Sequence, residues 1–94
     1  MKVVKIDSQD SNMIEQKFFE HAAGKDNIAF LMKDNDIDWS VLQHYINVVE
    51  VRFFELEQMK SRLSKKYEPS ELKGKRYNFS FDFENETIAY ETIA

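Results

Sequence analysis

The 94-residue chain contains no cysteine, one proline and two glycines. Without cysteine there is no disulfide framework and no thiolate nucleophile. Gly24 and Gly74 lie far apart, so no glycine-rich phosphate loop can be built from them. No apolar run reaches the roughly 18 residues that a membrane span needs. Residues 1–10 lack the apolar stretch of a signal peptide. A cytoplasmic protein with no membrane partner is the expectation. Histidine is scarce as well. His21 and His44 stand alone, neither with a carboxylate or second histidine at metal-ligand spacing. No serine sits in a nucleophile-elbow context. These absences assign no catalytic residue, no metal and no cofactor, and an enzyme is not expected.

The chain is well supplied with apolar groups. Hydrophobic residues make up 43% and aromatic residues 14%, enough to fill a core and to argue against global disorder. The length suits one α+β domain spanning 1–94, with 91–94 expected to fray. The formal net charge of -4 argues weakly against a general nucleic-acid binder.

Residues 38–67 contain neither glycine nor proline, and Pro69 stops them. Trp39, Leu42, Ile46, Val49, Phe53, Leu56, Leu63 and Tyr67 recur at spacings of three and four, a helical period. At 100° per residue they fall within roughly 120° of arc, which predicts one apolar stripe. A helix over this stretch would be roughly 45 Å long. A compact chain of this size is only about 30 Å across. The helix must therefore project, pair with another helix, or pair with a second copy.

The remaining segments read as follows. Residues 2–6 alternate as a short strand. Ser11 or Asn12, with Glu15 in capping-box register, predicts a first helix beginning near Met13 and carrying Ile14, Phe18 and Ala22. Gly24 favours a break there, with a restart at Asp26 or Asn27, over a helix that runs through it at a cost of about 1 kcal/mol. Asp34, Asp36 and Asp38 alternate like the opening of a calcium loop. Trp39 stands where that loop needs glycine and Tyr45 where it needs glutamate, so calcium binding is not expected. Asp38 is the predicted cap of the long helix. Tyr77, Phe79, Phe81 and Phe83 alternate with polar residues, the clearest strand signal in the chain. A turn near Asn85 returns a second strand over 87–93. The predicted architecture is a two-helix antiparallel hairpin, its second helix long. It packs on a small antiparallel sheet made of the C-terminal hairpin and the N-terminal strand.

Two groups of residues are candidate sites. Val51 and Phe54 project from the polar face of the long helix, beside Asn47 and Gln58. Either the β-hairpin wraps over them, or a protein partner or second copy covers them, or they are simply exposed. The second group is basic. Residues 60–76 hold Lys60, Arg62, Lys65, Lys66, Lys73, Lys75 and Arg76 against Glu68 and Glu71, about +5 locally. This is either cations favoured at a helix C-terminus or an anion-binding patch. The functional class expected from these features is a protein-protein interaction module with a homodimer as its assembly. It would be a small regulator, inhibitor or accessory subunit of bacterial or phage type, acting through the long helix and a sheet edge. The alternatives are an acidic nucleic-acid mimic and an accessory protein or precursor in a peptide-modification system. The last rests on the twice-written Glu-Thr-Ile-Ala near the C-terminus.

Overall fold

The computed structural model describes residues 1–33, 36 and 38–93. The elements run β1 (Lys2–Lys5), α1 (Ser8–Leu31), α2 (Trp39–Lys66), a 3-10 turn (Ser70–Leu72), β2 (Tyr77–Asp82) and β3 (Thr87–Thr92). The two helices form an antiparallel hairpin. The strands form one antiparallel sheet in the order β1-β3-β2.

Asp38 caps α2 as its position predicts. Its Oδ1 accepts the Ser40 backbone N–H at 2.9 Å and the Ser40 hydroxyl at 2.7 Å. Those bonds hold the Asp38 carboxyl below the usual carboxylate range. At the other end Tyr67 N–H reaches the Leu63 carbonyl, and Lys65 and Lys66 sit in the last turn against the negative end of the helix.

Helix α1 departs from expectation in two ways. It begins at Ser8 rather than near Met13, because Asp7 is the cap and accepts the Gln9 N–H at 2.8 Å. Ser11 lies buried inside the helix. The helix also runs unbroken through Gly24. The glycine is used for closeness instead of a turn: a Cβ there would stand 2.8 Å from Val49 Cγ2 on α2. The cost of glycine in a helix interior, about 1 kcal/mol, is offset by the close crossing that it permits. Gly24→Ala regains that propensity but overpacks a stiff β-branched neighbour, which costs about 1–3 kcal/mol. A net loss of about 1 kcal/mol is expected in urea unfolding, and an increase in stability would show that the crossing can open freely.

The aromatic alternation of β2 is seen directly. Tyr77, Phe79 and Phe81 are half-buried, while Asn78, Ser80 and Asp82 are exposed. On β3 the buried residues are Ile88 and Tyr90. Register places Phe79 opposite Tyr90 and Phe81 opposite Ile88, and on the other side Val4 opposite Ile88. The apolar face is thus continuous across all three strands. The β2–β3 turn is held by Asp82, which accepts from the Asn85 backbone and amide at 3.1 and 2.8 Å. In the segment expected to fray, Glu91 and Thr92 belong to β3, and Ile93 N–H donates to the Arg76 carbonyl at 3.0 Å. Ala94 lies outside the described residues. Ile88 and Ile93, the isoleucines of the two Glu-Thr-Ile-Ala copies, are five residues apart, an odd step along an extended chain, which points them to opposite faces. Ile88 is accordingly fully buried and Ile93 about half exposed.

The core is concentrated where the sheet meets the helices. Ile6, Ile14, Leu56, Leu63, Leu72, Ile88 and Tyr90 form one cluster, with Phe18, Met59, Tyr67 and the β2 aromatics packed on it. Tyr90 spans the layers, its hydroxyl donating to the Ser64 carbonyl at 2.6 Å. The start of α1 is pinned to the end of α2 there. Asp10 accepts from Lys66 and from the Tyr67 hydroxyl, each at 2.6 Å, and that hydroxyl accepts the Asp7 N–H at 3.0 Å. The molecule measures 55 × 28 × 17 Å with a radius of gyration of 16.9 Å. A globule of this length would have about 12 Å. The excess is the far part of the hairpin, which runs beyond the sheet as a bare two-helix arm.

Candidate docking surface

Exposure is divided unevenly between the two ends of the hairpin. The far arm carries Phe19, Phe30, Met32, Trp39, Val51 and Phe54 with 66, 76, 68, 75, 56 and 62% of their surface exposed. Among the described residues only Leu42 and Gly24 are buried along it. The eight-residue stripe of α2 is therefore covered only in part. Leu42, Leu56 and Leu63 are buried, Ile46, Val49 and Tyr67 are half-buried, Phe53 is about half exposed, and Trp39 lies largely open. The physical reason is simple: one α1 helix covers one narrow seam, and the sheet ends before it reaches Phe53.

The β-hairpin does not wrap over Val51 and Phe54, which removes the first of the three explanations for them. Both project to solvent, with Asn47 and Gln58 exposed beside them. Val51 and Asn47 line an open groove with Glu20, His44, Val48 and Arg52. Gln58 belongs to a neighbouring groove with Lys17, Glu55, Met59, Arg62 and Lys65. Glu55 is common to both, and Lys17 bridges to it at 2.9 Å. Arg52 ties the helices together across the same side, donating to the Glu20 carbonyl at 3.1 Å. Lys17 is held charged more firmly than an ordinary lysine, chiefly by its bond to Glu55.

The basic residues are not gathered into one patch. Lys60 pairs with Glu57 at 3.1 Å and lies over the Phe18 ring, 5.8 Å from its centroid. Lys66 is committed to Asp10. Arg62 and Lys65 line the groove with Lys17, while Lys75 and Arg76 line another beside Thr92 and Ile93. Lys73 is exposed in the connecting loop. The structure thus separates the seven cations among distinct surroundings.

The histidines stay apart. His21 packs on Phe53 with ring centroids 5.4 Å apart, and His44 lies beside Tyr45. Among the described residues no three His, Asp or Glu side chains converge as a metal site would require. Of the three aspartates that alternate like a calcium loop, Asp34 lies outside the described residues and Asp38 is engaged as a cap. Among the described residues no helix is long and apolar enough to cross a membrane. Sequence reasoning singled out Val51 and Phe54 but not Phe19 and Phe30. Those two are eleven residues apart, three helical turns, and the spacing itself could have placed them on one outer face of α1. Compared with known proteins, the chain matches no family model, no curated protein and no solved structure.

Proposed function

We propose that this chain is a non-enzymatic protein-protein interaction module, a small regulatory or accessory subunit whose working surface is the projecting helical arm. One observation carries the reading: large apolar side chains stand open along the arm, while the core beneath the sheet is closed. A helix pair that is apolar on more than one side is a buried element awaiting its cover. Phe54, Phe30 and Trp39 are the natural anchors, since exposed aromatic rings supply most of the energy in such contacts. The acidic connection between the helices, with Asp36 and Asp38 present, disfavours an anionic lipid surface and favours a protein. Phe54→Asp should leave the circular dichroism spectrum unchanged, because the side chain is largely exposed and is not part of the core cluster. It should weaken partner binding by at least tenfold in a parallel capture from the native host. Unchanged capture by both Phe54→Asp and Trp39→Asp would remove the arm as the working surface.

A further inference from the structure

We infer that the occupant of one face of the arm is a second copy of this chain, docked antiparallel about a two-fold axis at Ile46. The inference rests on the docking-arm reading above and names the partner for that one face. Consider the side of the hairpin on which the sheet lies. There α1 presents Ser11, Ile14 and Phe18, covered by the sheet, with Phe18 packed edge-on against Phe83 at 5.3 Å. The same helical row continues past the sheet as Ala22, Lys25, Ala29 and Met32, all exposed. On α2 the corresponding row is Tyr67, Ser64 and Lys60 under or beside the sheet, and then, beyond it, Phe53 about half exposed beside His21, Ile46 half-buried and Trp39 largely exposed. The protomer is therefore stepped: thick at the sheet, thin along the arm, and apolar on the tread.

Three features select a second copy. The first is spacing. Trp39, Ile46 and Phe53 are seven apart, so the row is symmetric about Ile46. Two antiparallel arms centred there bring Ile46 onto the partner's Ile46, Phe53 onto the partner's Trp39 and Trp39 onto the partner's Phe53. That reciprocity is what an isologous contact requires. The second is shape. A parallel arrangement would drive the two sheets into each other, whereas an antiparallel one lets each arm, about 21 Å from Trp39 to Phe53, fill the other's step. The third is charge. The face carries Lys25 and Glu50, one of each sign and neither in an ion pair among the described residues, so two copies meet without net repulsion.

The absence of cysteine makes the test clean. Ile46→Cys, at the axis, should give a disulfide-linked dimer under mild oxidation, while Val51→Cys on the opposite side should not. Sedimentation equilibrium of the unmodified protein at ~10–100 µM should give the mass of two chains, and Ile46→Asp that of one, with unchanged circular dichroism. Trp39, the only tryptophan, should shift its emission to shorter wavelength as the protein is concentrated. A one-chain mass throughout, with Trp39 emission that of an exposed indole, overturns the second copy. The docking arm would then fall only if the host capture were also insensitive to Phe54→Asp and Trp39→Asp. Equal cross-linking at positions 46 and 51 overturns the proposed face.

Discussion

Ile14→Ala is expected to lower the unfolding free energy by about 3 kcal/mol, whereas Phe30→Ala changes it by less than about 0.5 kcal/mol. Both substitutions truncate a large apolar residue on the same helix, about 24 Å apart along its axis. Ile14 is fully buried at the junction of helix and sheet; Phe30 is 76% exposed on the arm. Removing Ile14 forfeits the transfer energy of three carbons and leaves a cavity among Leu56, Leu63 and Ile88, which cannot all collapse around it. For a chain whose whole stability is of the order of 5–15 kcal/mol, that loss shifts the urea midpoint strongly. The comparison belongs at sub-micromolar protein, where association contributes nothing to the folded state. Equal losses at both positions would mean that arm and core are one cooperative packing unit.

The second large effect lies on the alkaline side and centres on Tyr90. Its ring is almost wholly buried, and its hydroxyl donates to the Ser64 carbonyl. Ionisation would strand a phenolate in apolar surroundings and forfeit that bond. Burial first, and then the negative charges that Tyr77 and Glu68 can carry, push its pKa up to about 12. A tyrosine in the unfolded chain ionises near 10. The unfolded state therefore releases its proton first. The stabilisation is complete below about pH 10 and is lost as the pH rises toward 12, a change of roughly 2–3 kcal/mol. Tyr67 and Tyr77 are shifted in the same direction, chiefly by burial and by the hydrogen bonds they donate to Asp10 and Glu68. Tyr90→Phe should cost about 1–2 kcal/mol at pH 8, through the lost hydrogen bond, yet flatten the alkaline limb. Urea midpoints between pH 8 and 12 check both parts. An unchanged alkaline slope in the variant would assign the effect to the other two phenols.

The features legible in the sequence were those enforced by local periodicity. The period-two row Tyr77, Phe79, Phe81 specifies which face of β2 turns inward, and no tertiary partner is needed to see it. The three-and-four spacing from Trp39 to Tyr67, with Asp38 ahead of it and Pro69 behind, delimits α2 within a residue at each end. The pairing of β1 with β3 agrees with the expected N-terminal strand. What local pattern could not supply was anything decided by contact between elements. Gly24 looks like a stop signal until Val49 is seen against it. Asp7 outcompetes Ser11 and Asn12 as a cap because Ile6, fixed by its N–H bond to Glu86, brings the chain into α1 one turn earlier. Trp39 and Phe53 carry the same apolar signature as Leu56 and Leu63, and periodicity makes all four equally core. Only the length of the sheet separates them. The exposed pair Val51 and Phe54 was readable as an anomaly because they depart from the stripe. Trp39 and Phe53 were not, because they conform to a stripe that the sheet and α1 cover only in part.

Amide hydrogen exchange, followed residue by residue at low and high protein concentration, tests most directly the claim that the arm is built for contact with another macromolecule. In dilute solution the amides of Leu63, Ile88 and Tyr90 should open only with global unfolding. Those of Phe19, Phe30, Ile46 and Phe53 should open at free energies lower by several kcal/mol. On concentration the arm amides should slow while the core amides hold their rates. Arm and core amides equally protected at the lowest concentration would contradict the account, because the arm would then be a finished structure with nothing left to bind.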